Sequence, residues 1–451
     1  MKLTSLCTSL VGALIALSFN AHAQSLTLSA AFEKALASDP GIQASEQAVQ
    51  VGREKTIQGQ SLFKPQVSLS AGITAMSVHA ESALPPGFSA LAQPDSSGNI
   101  RKTAVQIVQP LINAGAEASR AQLSRQTEAA EVSWTAARQD LMMQVAEAYL
   151  AVIASREALR VVDAENTSLE QQRERAQARF DVGMGNLIDL QEARARRDGV
   201  QARKVSAQSA LFQRSAQFEA LTGALANSLA ELKPDASLIG IDPDKLEAWQ
   251  ARAMDHNAHI LGKKIEVAIA REDMRRYSLR SRPTLDLVGN YALQSKDGDL
   301  SLLVSADQQR TATLGLFLNV PLFTGGNLDS REREAQAKGR QSELELAALQ
   351  RDVRLRVQEA FLAVNTGIAR TVALQASERT ARTALEATTT GRDIGTRTQL
   401  DVLDSQQRLF GSQQDLIQAR VDLLVGRLRL AWTVGELDED ALRHVDSELR
   451  D

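Results

Sequence analysis

One cysteine, 10 prolines and 4% aromatic residues among 451 leave this chain without the raw material of several common protein types. The single thiol, Cys7, lies within the first 23 residues, so the chain beyond them has no disulfide framework, no thiolate zinc site and no thiol nucleophile. A soluble chain of this length ordinarily divides into about three domains of ~150 residues, with aromatic cores and Pro/Gly punctuation. Here 43% of the residues are apolar, many of them alanine and leucine, and the stretch from Ala116 to Val182 contains neither glycine nor proline. As one helix rising ~1.5 Å per residue it would be about 100 Å long, which excludes a compact enzyme core and requires an elongated architecture.

Charge of one sign is also lacking. The formal net charge is −4, with Lys and Arg dispersed among Asp and Glu, so the electrostatic footprint of a nucleic-acid partner is absent. No segment after the leader approaches the ~18 consecutive apolar residues of a membrane helix. Any membrane-embedded part must therefore be built from strands. The histidines past the leader are His79, His256, His259 and His444. His256 and His259 are close in sequence but lack a glutamate placed as a zincin base, so no metal site is expected. With no P-loop, nucleophile elbow or dinucleotide fingerprint, no enzyme activity and no cofactor are expected, and energy for any transport must come from a partner.

The leader has the form of a secretory signal: Lys2, an apolar run from Leu10 to Phe19, then Ala21-His22-Ala23, the small-x-small pattern read by signal peptidase. Cleavage after Ala23 is expected. Cys7 precedes the apolar run rather than following it, so no lipid anchor is expected.

Most informative is an internal repeat at an offset of about 210 to 220 residues, well beyond the period of solenoid repeats. Lys64-Pro65-Gln66-Val67 returns as Arg282-Pro283-Thr284-Leu285, and Gln109-Pro110-Leu111-Ile112 as Val320-Pro321-Leu322-Phe323. The run Val145 to Val152 returns as Val357 to Val364, and Asp181-Val182-Gly183 with Asp189 as Asp393-Ile394-Gly395 with Asp401. Matched blocks in one order indicate duplication of a whole structural unit. The expected organisation is a signal peptide 1–23, a first repeat 24–232 and a linker 233–244 marked by Pro234, Gly240 and Pro243. A second repeat 245–437 and a C-terminal tail 438–451 follow. Each repeat reads helix, strand, loop, strand, very long helix, glycine turn, helix. Asp39-Pro40 marks a break near the first helix.

Strands are expected at about 65–77 and 101–110, with the long helices of that repeat reaching 222, and again at about 284–295 and 311–321. Val67, Leu69, Ala71, Ile73 and Ala75 share one face against Gln66, Ser68, Ser70 and Thr74; Leu314, Leu316, Leu318 and Val320 alternate with Thr313, Gly315, Phe317 and Asn319. The weakest strand is 102–109. Such a pattern suits a half-buried soluble sheet or a lipid-facing barrel wall. In a membrane, four strands cannot close alone, and pooling two, three or four chains would each give an even number. Pro85-Pro86-Gly87 indicates a surface loop between the first two strands.

Between Pro110 and Phe180, apolar residues such as Leu123, Val132, Leu141, Val145, Leu150 and Leu159 recur at mixed three- and four-residue spacings. That spacing suits a helix packed on more than one side. The turns Val182-Gly183-Met184-Gly185-Asn186 and Ile394-Gly395-Thr396-Arg397-Thr398 read as helical hairpin tips, with Asn186 and Thr398 as caps. Just beyond each come acids three apart, Asp189 and Glu192, then Asp401 and Asp404, on one helical face. Taken singly, such residues are better explained by a favourable interaction with the helix dipole.

The run from Gly395 to Asp404, Gly-Thr-Arg-Thr-Gln-Leu-Asp-Val-Leu-Asp, resembles the periplasmic-tip motif of the TolC-type outer membrane factors, the exit ducts of tripartite efflux pumps and type I secretion systems. Ser25-Leu26-Thr27-Leu28 and the duplication extend the likeness along essentially the whole mature chain. The resemblance implies a mainly α fold with a β-barrel portion. Three copies would form a homotrimer with a 12-strand transmembrane barrel, four strands per chain, and an α-helical barrel crossing the periplasm. It implies a periplasmic adaptor, an inner membrane pump (ABC or proton-driven) and outer membrane lipid as partners, and passive passage of small molecules or proteins gated at the tips. By the same resemblance Asp401 and Asp404 ring the aperture, Arg397, Asp189 and Arg392 occupy latch positions, and Val182, Gly183, Met184, Ile394, Gly395 and Thr396 meet the adaptor. Arg392 and Ile188 depart from the family's usual tyrosine and threonine, so the closed state is held differently here. The rival reading is a periplasmic adaptor or structural coiled coil without a pore, which would not carry two copies of an amphipathic strand pair.

Overall fold

The computed structural model describes residues 25–79, 96–233, 245–279, 282–298 and 308–450. The signal peptide, the Pro85-Pro86-Gly87 loop and residues 234–244 of the linker lie outside the described residues. In the first repeat the elements are α1 (Leu28–Ser38), α2 (Pro40–Ser61), β1 (Gln66–Val78), β2 (Ser96–Ile112), α3 (Ala114–Asp181), α4 (Leu187–Thr222) and β3 (Glu231–Leu232). The second supplies α5 (Leu246–His256), α6 (Ala258–Ser278), β4 (Thr284–Gly298), β5 (Gln308–Asn319), α7 (Asn327–Asp393) and α8 (Gln399–Val434). The chain closes with α9 (Glu439–Ser447) and β6 (Leu449–Arg450).

Two compact units are formed. One comprises Gln47–Ser133 and Leu261–Ala348 and contains the four-stranded antiparallel sheet, in the order β1-β2-β4-β5. Its register puts Val67 opposite Ile107, Leu69 opposite Val105, Val105 opposite Tyr291, Leu287 opposite Leu316 and Leu285 opposite Leu318. Partners across antiparallel strands share a face, so these apolar residues form one continuous surface. Gln66, Ser68, Gln106, Asn290 and Thr313 fall on the other. The apolar face lies exposed: Leu69 is 71% and Leu314 77% accessible. Burial of apolar area normally drives folding, so a sheet that turns leucine and isoleucine outward needs a non-aqueous surround. β2, the weakest strand by pattern, is the longest at 17 residues. It pairs on both sides, and that backbone ladder supplies what its alternation lacks.

The other unit comprises residues up to Glu46, Trp134–Ile260 and Leu349 onward. In α1, Leu28, Ala31, Phe32 and Ala35 follow the helical stripe and are buried, with Thr27 capping the start through Ala30 N at 3.2 Å. They join Leu141, Val145, Tyr149, Leu150, Phe218, Leu424, Leu428, Leu442 and Val445 in one core. Tyr149 packs edge-on to Phe218, donates to Leu26 O at 2.7 Å and accepts from Ala230 N at 3.3 Å. The repeat copy of this residue is Phe361, which brings no hydroxyl.

Residues 438–451, set apart from both repeats in the sequence, include a helix and a strand that tie the chain's ends together. Asp446 accepts from Leu28 N at 2.6 Å, Ser29 N at 3.1 Å and Ser29 Oγ, capping the first helix, while β6 pairs antiparallel with β3. The helix break at Asp39-Pro40 has a counterpart at Asn257, between α5 and α6. There Asn257 Oδ1 accepts from Ile260 N at 3.0 Å and Nδ2 donates to Thr433 O at 2.8 Å.

Candidate functional site

Each long helix, 68 residues in α3 and 67 in α7, ends at a tight turn. Gly183 N donates to Phe180 O at 3.0 Å and Met184 N to Arg179 O at 2.9 Å; Gly395 N donates to Arg392 O at 3.0 Å and Thr396 N to Gly391 O at 2.8 Å. This nested pair is the Schellman ending. It places Gly183 at φ 73° and Gly395 at φ 83°, where a side chain would be strained. Val182, Met184 and Ile394 stand out from the turns at 65%, 79% and 71% exposure, and Ile188 is exposed beside them.

The next helices are capped from within. Asn186 accepts from Ile188 N at 3.0 Å. Thr398 and Asp401 form a reciprocal capping box, with Asp401 N donating to Thr398 Oγ1 at 3.1 Å and Thr398 N donating to Asp401 Oδ2 at 2.9 Å. The backbone and hydroxyl hydrogen bonds from Thr398 hold the Asp401 carboxyl below the usual aspartate range, assisted by the nearby charges of Arg397 and Arg408. Asp401 is therefore both a cap and a half-exposed, firmly ionised carboxylate.

Asp404 is held differently, and by a residue the sequence reading did not single out. Arg196 Nη2 donates to Asp404 Oδ1 at 2.6 Å, Nε to Glu192 Oε1 at 2.8 Å and Nη1 to Gln407 Oε1 at 2.9 Å. Burial lowers the Arg196 pKa, yet the hydrogen bonds to Glu192 and Asp404 prevail and raise it overall. The available signal was the Glu192 to Arg196 spacing of four, which puts both on one helical face. Asp189 and Arg392 line one cleft of about 180 Å³ with Gln172, Arg175, Arg179 and Gln399, but Arg392 turns to Asp393 at 2.5 Å and reaches Gln399 Oε1 at 3.5 Å. Among the described residues no ion pair within the chain joins Asp189 or Arg397 to another side chain.

A polar seam runs from α3 to α8 near the tips: Gln399 donates to Gln172, Gln172 to Gln406 and Gln406 to Ser168. These side chains also escaped the sequence reading, since glutamine on a helix is ordinarily a solvated residue. His256 and His259 diverge to Glu436 at 3.2 Å and Asp140 at 3.7 Å. Among the described residues no group of three His, Cys, Asp or Glu side chains is placed to hold a metal ion, and no helix is long and apolar enough to cross a membrane.

An outward-apolar sheet contributed by both repeats, each continuing into a very long helix and a capped hairpin, defines an outer membrane channel protein. The chain belongs to the outer membrane efflux protein family, whose profile matches residues 31–224 and 249–436, one stretch in each repeat. It is 27% identical to outer membrane protein TolC of Vibrio cholerae over 419 residues, covering 93% of each chain. Over 457 residues it is 25% identical to the alkaline protease secretion protein AprF of Pseudomonas aeruginosa, covering 99% of this chain and 92% of the relative. Among solved structures, the outer membrane protein VceC of Vibrio cholerae shares the fold at a TM-score of 0.77 and 19% identity, covering 91% of this chain and 97% of that one. The open state of the Neisseria gonorrhoeae MtrE channel does so at 0.72 and 15%, covering 93% and 91%. The protein is an outer membrane efflux channel, and the adaptor and free coiled-coil readings give way to that.

Proposed function

We propose that three copies of this chain assemble into a continuous exit duct, a 12-strand barrel in the outer membrane joined to a helical barrel in the periplasm. The sheet carries this reading. It has an exposed apolar face, and its outer strands β1 and β5 each have one side without a partner in the sheet order. Hydrocarbon does not tolerate unpaired backbone groups, so β5 of one copy must pair with β1 of the next until the ring closes. Three copies follow from kinship with the TolC-type factors, not from the strand count alone.

The duct is passive and opens at the tips. Val182, Gly183, Met184, Ile394, Gly395 and Thr396 offer a small, partly apolar surface to a periplasmic adaptor. That adaptor couples the duct to an inner membrane pump, ABC or proton-driven. Asp401 and Asp404 face the aperture and favour cations. Arg397 and Asp189, without ion-pair partners among the described residues, engage a neighbouring copy as a latch. Arg392, tied to Asp393, does not substitute for the family's tyrosine. The family is named for efflux, and a relative named for protease secretion aligns over nearly the full length, so the duct reading extends to small molecules and proteins.

Single-channel recording in planar bilayers tests this. Wild type should conduct with a cation preference and be blocked by multivalent cations, and the Asp401→Ala/Asp404→Ala variant should lose both. Unchanged preference and block would remove these residues from the aperture, and recovery of the protein wholly in the soluble periplasm would sink the channel reading.

A further inference from the structure

The two aperture acids are not equivalent. The Asp401 carboxylate is met by neutral donors, the Thr398 amide and hydroxyl, at a half-exposed position and keeps its full charge. Asp404 shares its carboxylate with a guanidinium at 2.6 Å. The Arg196 side chain is 22% exposed and that of Asp404 44%, so the cation lies beneath the anion it meets. All three guanidinium nitrogens are engaged, one on Glu192 of α4 and two on Asp404 and Gln407 of α8. A planar fork serves three acceptors at once in a way that an ammonium cannot. Glu192, four residues back on the same helix, anchors the guanidinium to α4 and leaves its Nη groups directed at α8.

We infer that Arg196 is a specificity-determining residue of the aperture, masking Asp404 so that the negative field of the resting tip comes chiefly from Asp401. This rests on the aperture reading proposed above. A ring of bare carboxylates would hold multivalent cations far more firmly than one in which every second acid is compensated at contact. Arg196 thus sets how strongly the duct is plugged by such ions.

The test is block of the reconstituted full-length channel by hexaamminecobalt(III), added to the periplasmic side and normalised to each variant's own conductance. Arg196→Gln should lower the half-blocking concentration about tenfold, the low end of what a cleft of one charge sign does to local counter-ion concentration. The control is Arg197→Gln, the adjacent residue, which pairs with Glu170 at 2.9 Å and Asp198 at 3.1 Å and not with the aperture acids. It removes the same charge and should shift block by less than about twofold. Arg196→Lys keeps the charge, guards against a folding defect in the glutamine variant, and should fall between it and wild type. Arg196→Gln indistinguishable from wild type or from Arg197→Gln overturns the inference. If Asp401→Asn weakens block while Arg196→Gln is silent, the aperture reading stands and only the masking role falls. If Asp401→Asn and Asp404→Asn are both silent, the aperture reading itself falls.

Discussion

Gly435 ends α8 with φ 90° and rests directly on the backbone where α5 breaks to α6. A Cβ added there would lie 2.3 Å from His256 O and 2.8 Å from Asn257 Cα, far inside van der Waals contact and against atoms that cannot rotate away. Gly435→Ala therefore meets two costs. The left-handed conformation costs about 1–2 kcal/mol for a residue with a Cβ, and forcing the two segments apart costs about 1–3 kcal/mol as overpacking. Separation also strains the Asn257 Nδ2 bond to Thr433 O at 2.8 Å and the Gln139 Nε2 bond to Gly435 O at 2.8 Å. A total of about 2–5 kcal/mol is expected. The internal control is Gly325→Ala, at φ 62° with no atom within 4 Å of the added Cβ, which should cost only the first of these, about 1–2 kcal/mol. Urea denaturation of the purified protein, followed by loss of heat-modifiable migration, compares the two. If Gly435→Ala proves as stable as Gly325→Ala, the close approach to His256 is not a constraint and the reasoning fails.

Other expected outcomes follow from the same contacts. Tyr149→Phe, the change nature made in the second repeat, should destabilise by about 1–2 kcal/mol through loss of the hydroxyl's bonds to Leu26 and Ala230, read as a lower urea midpoint; no shift would mean that water replaces the hydroxyl. Leu314→Arg, on the apolar face, should impair insertion by about 2–4 kcal/mol, whereas the adjacent Thr313→Arg on the opposite face should insert and alter selectivity; equal behaviour in folding into lipid would show that the faces are misassigned. The Asp140 carboxylate raises the pKa of His259 above its ordinary value, against partial burial and the charge of Arg356. A raised folded-state pKa stabilises below the unfolded value near 6.5, and the gain is lost as pH rises through the folded-state value. His259→Gln should therefore destabilise more at pH 6 than at pH 8.5, by less than about 1 kcal/mol at this half-exposed site; a larger effect at the alkaline end would refute the pairing.

Elements whose information is local were legible in the sequence. β1 alternates cleanly, as a wall between lipid and lumen would require, β5 does so but for Phe317 opposite Asp286, and the break at Asp39 is announced by Pro40. The break at Asn257 carries no proline. It is held by a buried amide bonded to Thr433, distant in sequence and invisible to local pattern. Glycine and the caps marked the tip turns, and Asp401 could be placed at the start of its helix. The guanidinium on Asp404 and the glutamine seam depend on which faces of α3, α4 and α8 meet, and that is set by tertiary packing. The role of the last dozen residues was hidden for the same reason: Asp446 lies 418 positions from the amide it caps.

That last contact bears on biogenesis. The first two amides of α1, those of Leu28 and Ser29, find this acceptor only when Asp446 of α9 has been made, and among the described residues β3 has no strand partner until β6 follows. The unit's core draws on α1, α4, α8 and α9 together, so its native packing cannot be completed vectorially as the chain is secreted. Loss of the Asp446 carboxylate would leave the Leu28 and Ser29 amides without this acceptor however much of the channel had been made.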